Sequence, residues 1–544
     1  MPNTIHQAFS LAAQRWATQP FLCILPETAS IYGIAAGEIG YAHAARRVEA
    51  LRAAYAASGY GHGHRVGLLL ENRPDFFLHW FALNALGVSV VPINPDMRAA
   101  ELEYLIGHSE ILLAVALPER HADLIAAAEA AGRPFQTMSA DGAPPPAAFP
   151  APLAGSEPGE LSECALLYTS GTTGRPKGCI LPNRYFLHAG NWYAGAGGLA
   201  ALAPGKERMI TPLPLVHMNA MAYSAMAMVN TGGCLIPLDR FHPKSWWASV
   251  RESRATVVHY LGVMPAMLMK AEASPADREH HVRFGFGAGV DRTLHGIFEA
   301  RFGFPLLEAW AMTETGAGAV IIANHEPRHI GTSCFGKEES DVQVRILTDD
   351  GREATADEQG ELLVRHAGED PRYGFLAGYL KDQAATDEAW AGGWFHTGDI
   401  VCRDRDGYLH FVDRKKNVIR RSGENIAAVE VEAVLQQHPL VKAVAVAAVP
   451  DPVRGDEVMA LVVPQDPPTD TATMEAAAAD IVRWTLSRLA YYKAPGYVAF
   501  VDALPLTTTN KIQRGELKAL APTLVDGPDC VNTCAMKKRQ GDHK

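Results

Sequence analysis

Residues 168–179 read YTSGTTGRPKGC, a stretch of hydroxyls and glycines around Lys177 with no apolar periodicity. That composition suits the holding of phosphate. Gly171, Gly174 and Gly178 bring bare backbone N–H groups close to an anion, Thr169, Ser170, Thr172 and Thr173 add hydroxyl donors, and Lys177 adds a full positive charge. The apolar run ALLY leading into it predicts a strand that delivers the loop to a fixed place. A Walker loop is excluded: that motif sets a glycine directly before its lysine and a Ser or Thr directly after, whereas Pro176 and Gly178 flank Lys177.

Upstream of the loop, strand and helix alternate. A helix over residues 41–57 is followed by a strand at 65–72, a helix at 75–86, a strand at 88–94, a helix at 100–108 and a strand at 111–117. Alternation of this kind predicts a doubly wound α/β sheet of parallel type. The proline-rich connector at 143–152, APPPAAFPAP, reads as surface loop. At 544 residues the chain exceeds one ordinary core, so two or more domains are expected.

Composition narrows the function classes. A formal net charge of −11, with no basic stripe, argues against a nucleic-acid partner. No run of 18 apolar residues occurs, so no membrane span is expected, and residues 4–19 read as an amphipathic helix and not as a signal peptide. The eight cysteines are scattered, and Cys530 and Cys534 lack a second ligand pair nearby, which argues against zinc and fits a reducing, cytoplasmic setting.

Six further stretches carry candidate chemistry. PLPLVHMNA (212–220) places His217 at the end of an apolar run. GFGAGVD (285–291) imitates a dinucleotide fingerprint, but Val290 stands where its third glycine belongs. EAWAMTET (308–315) holds Thr313 and Glu314, GGWFHTGDI (392–400) holds Asp399, and PLTTTNKIQR (505–514) holds Lys511. Between the last two, GYLHFVDRKKNVIRRSGENI (407–426) reads as a strand, a charged break and a second strand running into a glycine turn and helix. The charged break is a natural domain boundary.

In this order the loop and these motifs resemble the signatures of the adenylate-forming superfamily, which includes acyl-CoA synthetases, peptide-synthetase adenylation domains and luciferases. The region 411–425 is most similar to the crotonobetaine/carnitine CoA ligase branch. The resemblance covers residues 5–522 and implies an N-terminal ATP- and acid-binding domain (1–413), a hinge (414–416) and a small mobile α+β domain (417–525); by composition the stretch beyond, 526–544, with its basic KKR cluster, reads as a disordered tail. It implies ATP, Mg²⁺ and coenzyme A as ligands. Residues 169–174 and Lys177 would bind phosphate. Gly287, Ala288 and Gly289 would form the adenine turn, and Trp310 would stack on the base in place of the usual Tyr. Asp399 and Arg414 would hold the ribose.

By the same resemblance Thr313 would donate to phosphate, and Glu314, with Thr169, would hold Mg²⁺. His217 would line the acyl and phosphate channel. Lys416 would carry the hinge torsion, Gly423 would let pantetheine pass, and Lys511 would contact the carboxylate and α-phosphate. Met218 and Asn219 stand where amino-acid-activating relatives place an Asp, so an α-amino acid lacks its counter-ion. Trp310 and Ala311 add bulk relative to the family's Tyr-Gly, which predicts a short or compact acid. An ATP-dependent carboxylic acid:CoA ligase is expected. An adenylating enzyme that loads a carrier protein, or a luciferase-like monooxygenase, would share the adenylation motifs and differ in acceptor or in oxygen use.

Overall fold

The structure is a computed structural model that describes residues 1–169, 176–414, 418–505 and 512–538. The alternation read from the first third of the chain is present. The helix Pro74–Asn84 starts on a proline, whose missing N–H costs nothing in the first turn, and its apolar residues face every direction. It is therefore buried all round between neighbouring layers, with Phe76, Phe77, Trp80 and Phe81 at 1% exposure or less.

Two large sheets form the body. One runs Gly378–Tyr379, Lys177–Pro182, Glu163–Thr169, Ser89–Pro92, Arg65–Leu69, Leu113–Ala116, Gln136–Met138. The four-residue strands in its middle are buried at every position because both faces are covered. The other has eight strands, with parallel pairs in the middle and antiparallel pairs at both edges. Its strands Val257–Leu261, Phe284–Ala288 and Leu306–Trp310 end side by side.

A third sheet departs from the expected parallel pattern. Cys334–Gly336, Leu409–Arg414, Phe395–Arg403, Gln359–His366 and Val342–Leu347 pair antiparallel throughout. Phe395–Arg403 alternates buried and half-buried positions, the mark of a strand with one face on the core. Among the described residues no helix is long and apolar enough to cross a membrane.

After residue 418 the chain forms a small α+β unit with cores of its own, one around Ile419, Val431, Val446 and Ile481 and another around Val449, Leu461 and Leu517. The glycine turn runs into a further strand, Glu424–Ala427, before the helix Ala428–Leu435 begins, a strand the sequence reading had merged with that helix. The stretch expected to be a disordered tail is ordered in its described part, where Cys530–Asn532 pairs antiparallel with Tyr497–Phe500. Lys537 is buried beyond it, donating to Glu457, which also accepts from Arg421 at 2.8 Å. A carboxylate shared by two cations is what allows a tail lysine to be buried.

Candidate functional site

The strands Glu163–Thr169 and Lys177–Pro182 form an antiparallel hairpin with Thr169 opposite Lys177, so both ends of the phosphate-type loop are fixed by sheet hydrogen bonds. Ser170, Gly171, Thr172, Thr173 and Gly174 lie outside the described residues. At the mouth of the loop the Thr169 hydroxyl donates to Glu314 Oε1 at 3.2 Å, and the Tyr379 hydroxyl donates to the same oxygen at 3.3 Å. Lys177 Nζ sits 4.8 Å from the centre of the Tyr379 ring. Burial, followed by the Glu314 charge, pushes the Tyr379 phenol well above its ordinary pKa, so it stays a donor.

Glu314 is 8% exposed, and among the described residues no lysine, arginine or histidine ion-pairs with it. A buried carboxylate that, among the described residues, meets the Thr169 and Tyr379 hydroxyls and no cation is a donor set that a hard divalent cation accepts, so Glu314 and Thr169 fit a Mg²⁺ ion. Thr313 is half-buried beside it, and its carbonyl accepts from the Tyr185 hydroxyl at 2.9 Å, which fixes the turn.

The neighbouring strand ends bring the other candidates together. Phe284–Ala288 runs into Gly289, whose φ of 80° lies in the left-handed region that favours glycine. Its N–H donates to Glu308 Oε2 at 2.9 Å, the Val290 N–H donates to Oε1 at 3.1 Å, and the Tyr260 hydroxyl donates to Oε1 at 3.0 Å. One carboxylate thus shapes the Gly287–Ala288–Gly289 turn. Burial raises the Glu308 pKa, and these donors oppose that rise.

Two positions beyond Glu308, the Trp310 indole N–H donates to Asp399 Oδ2 at 2.9 Å. Asp399 is 2% exposed and lies in register with Arg414 on the adjacent strand. Its own N–H donates to the Thr397 hydroxyl at 3.0 Å, and the Gly398 N–H donates to Glu361 Oε1 at 3.1 Å.

His217 stands at the start of a π-helical segment, Asn219–Ala225. Asn219 is committed inward: its Oδ1 lies 2.9 Å from Nδ1 of His259, whose Nε2 is 3.0 Å from the Tyr193 hydroxyl. Burial pushes His259 down to about 3, so the ring is neutral. His217 faces the opposite way, with Nε2 3.4 Å from Glu424 Oε1 of the small unit. Burial would lower its pKa, but the Glu424 carboxylate outweighs that and raises it.

Glu424 belongs to the hairpin of Val418–Arg421 and Glu424–Ala427, turned by Ser422 and Gly423. Gly423 has φ 91°, and a Cβ placed on it would come 2.2 Å from Leu261 Cδ1. Leu261 pairs with Ala288, so the hairpin tip is seated on the strand that flanks the glycine turn. The structure thus brings Thr169, Lys177 and Glu314, with Thr313 beside it, together at the mouth of the loop, Trp310 against Asp399, and Gly423, with His217 on the adjoining Glu424, beside residues 287–289. Lys416 and Lys511 lie outside the described residues.

Sequence reasoning missed Glu308, Tyr379 and Glu424. Glu308 opens a motif that had been singled out, and its place two residues before Trp310 on an apolar strand was a usable signal. Tyr379 and Glu424 gave none.

Residues 26–379 match the AMP-binding enzyme family, and residues 430–511 match the AMP-binding enzyme C-terminal domain. The crotonobetaine/carnitine–CoA ligase of Citrobacter koseri is 29% identical over 484 residues, 85% of this chain and 90% of that one. The sulfoacetate–CoA ligase of Cupriavidus necator is 31% identical, covering 95% and 97% of the two chains. A feruloyl-CoA synthase from Amycolatopsis is 32% identical, covering 88% and 93%. In structure, a malonyl-CoA ligase bound to methylmalonyl-CoA and AMP superposes with a TM-score of 0.73 at 26% identity, over 90% of this chain and 97% of that one. The chain belongs to the AMP-binding enzyme family, among its AMP-forming acid–CoA ligases.

Proposed function

We propose that the protein joins a short or compact carboxylic acid to coenzyme A through an acyl-adenylate. In the first step a carboxylate oxygen attacks the α-phosphorus of ATP and the bond to pyrophosphate breaks. In the second the CoA thiol, losing its proton, attacks the acyl carbon and AMP leaves. A carboxylate is a poor nucleophile towards a polyanion, so the site must neutralise charge and align the attack. Residues 169–174 and Lys177 cradle phosphate, Thr313 donates to it, and Lys511 brings a positive charge to the carboxylate. Asp399 and Arg414 hold the ribose, Trp310 and residues 287–289 hold the base, and His217 lines the acyl side. Glu314 with Thr169 would hold Mg²⁺, which supplies neutralisation of phosphate oxygens when bound.

The observation that carries the CoA reading is the seat of the hairpin tip. Gly423 packs on Leu261 beside the glycine turn, and Glu424 meets His217, so a side-chain-free stretch of backbone borders the adenylate site. A pantetheine arm can pass there; an adenylating enzyme without a thiol step has no use for it. The acid class follows from two features. The positions after His217 bear no carboxylate, Asn219 being spent on His259, so an ammonium group finds no partner there. Ala311, half-buried against the core, adds a methyl where relatives leave open space.

The test is AMP release with CoA over a panel of short aliphatic, betaine, sulfonated and aromatic acids. Selective turnover of compact acids is expected, and best activity on palmitate-length acids overturns the size argument.

A further inference from the structure

Away from the reacting groups, a cluster of three charges ties the small unit to the large one. Lys493 Nζ lies 2.6 Å from Glu101 Oε1 and 2.8 Å from Glu430 Oε1, and the three side chains are 8%, 5% and 10% exposed. The Ala490 N–H donates to Glu101 Oε2 at 2.8 Å. Glu101 sits in the first turn of the helix Ala99–Ser109 of the large unit, while Lys493 and Glu430 belong to the small one. Burial alone would pull the Lys493 pKa down, yet the two carboxylates hold it above its ordinary value.

The placement of Glu430 gives the cluster a direction of action. It lies in the first turn of Ala428–Leu435, the helix entered straight from the strand Glu424–Ala427, whose other end is the hairpin turn. Hairpin, strand and helix are one continuous piece, anchored at the first turn of the helix by Lys493 and, through Lys493, by Glu101. Asn94 adds a second link across the same seam, donating to the Tyr492 hydroxyl at 3.3 Å.

We propose that Glu101 and Lys493 are positioning residues for the thiol step: their buried contact across the seam holds the small unit where the Gly423 hairpin is seated, and must open for the other half-reaction. The physical case rests on burial. An exposed ion pair contributes little, but a buried ammonium that has left water needs its carboxylates, so losing one of them is felt strongly. Glu430 travels with Lys493 when the small unit moves, and Glu101 does not. Glu101 is therefore the partner whose contact distinguishes this arrangement from any other. The proposal rests on the CoA reading above for the identity of the thiol, though not for the seating itself.

The experiment uses the full-length enzyme and Glu101→Gln, which keeps the shape and the hydrogen-bonding length and removes one charge. Amide hydrogen exchange over residues 418–427 reads the seating. Thioester formation from pre-made acyl-adenylate, with its KM for CoA, reads the second half-reaction, and acid-dependent pyrophosphate exchange into ATP reads the first. The expected result is faster exchange in the hairpin, a fall in thioester formation of about 10- to 100-fold for the loss of a charge-assisted bond, and pyrophosphate exchange at the parental rate or above.

Lys493→Met should lose less in the Glu101→Gln background than it does alone, because the pair acts as a unit, and equal losses in the two backgrounds count against it. Unchanged hairpin exchange overturns the proposal, and so does an equal fall in both half-reactions, which is what a merely structural role gives. If the parent makes no thioester with CoA while hairpin exchange still rises in Glu101→Gln, the CoA reading fails and the positioning role stands.

Discussion

Replacing Gly423 separates two costs that the structure makes distinct. The first is conformational: at φ 91° any side chain is strained, by about 1–2 kcal/mol for an L-residue in left-handed geometry. That strain belongs to the hairpin itself and is borne wherever the small unit sits. The second is steric and exists only when the hairpin is seated, since a Cβ would lie 2.2 Å from Leu261 Cδ1. Cδ1 is the far end of a flexible side chain, so Gly423→Ala asks only that Leu261 rotate. Gly423→Leu inserts three further carbons, for which overpacking costs about 1–3 kcal/mol. Only this second cost discriminates between half-reactions, and it converts to roughly 5- to 150-fold.

The assay is a pair of rates: pyrophosphate exchange into ATP with acid, and thioester formation from pre-made acyl-adenylate. Gly423→Leu should keep the first and lose the second by that factor, with Gly423→Ala only slightly affected. Leu261→Ala should recover part of the loss, because it removes the atom that is struck. Parental thioester formation by Gly423→Leu, or no recovery with Leu261→Ala, refutes the reasoning.

Three other outcomes are expected. Lys511→Ala should lose about 100- to 1000-fold in adenylation, the range for one transition-state donor, and spare thioester formation from pre-made acyl-adenylate; equal losses would remove the assigned role. Glu314→Gln should raise the Mg²⁺ concentration needed for half-maximal pyrophosphate exchange, because a neutral amide holds a hard cation poorly, and an unchanged Mg²⁺ titration counts against the site. Burial and the Arg421 charge pull Lys537 down from 10.5 to about 8, against the opposing pull of Glu457 and with Cys534 also at hand. Docked Lys537 then holds fewer protons than the free residue above pH 8, but burial pushes the Cys530 thiol of the same tail from 9.0 up to about 11, so above pH 9 the docked tail keeps a proton that the free tail loses; docking should tighten only between pH 8 and 9, by about 1 kcal/mol. Proteolysis of the tail that becomes faster from pH 8 to 9 would reverse this sign.

Much of the large unit was legible because its signals are local. The helix Tyr41–Ala57 has the bounds its composition suggested, and the strand leading into the loop needed only the apolar run before the glycines. Thr169, Lys177, Ala288 and Trp310 could be placed for the same reason: each lies at a strand end, where an apolar run stops and a turn begins. The antiparallel sheet of residues 334–414 was not separated out, since Phe395–Arg403 and Leu409–Arg414 fall in motifs that drew a chemical reading ahead of a structural one.

What stayed hidden is pairing over long separations. Trp310 and Asp399 are 89 positions apart, His217 and Glu424 are 207, and Glu101 and Lys493 are 392. Nothing periodic links such pairs, and an acidic residue early in a helix reads as an N-terminal charge whether or not a lysine from the small unit meets it. The tail failed for a related reason. Its basic cluster looks solvated in sequence, and only the fold supplies the buried Glu457 that lets Lys537 leave water.

The same long-range pairing changes the argument about acid size. In sequence, Trp310 and Ala311 together appeared as added bulk beside an acyl channel. In the structure the Trp310 indole is tied through its N–H to Asp399 and is 6% exposed, so its extra ring fills the nucleotide side of the wall and leans on Phe335 at a centroid distance of 6.3 Å. A carboxylate has about four lone-pair sites, so Asp399 can take the indole and still accept two ribose hydroxyls. Exchanging Tyr for Trp at 310 therefore bears on how Asp399 is oriented. The restriction on the acid passes to the Ala311 methyl, and Ala311→Gly is the substitution that should admit longer chains while Trp310→Tyr should act on ATP.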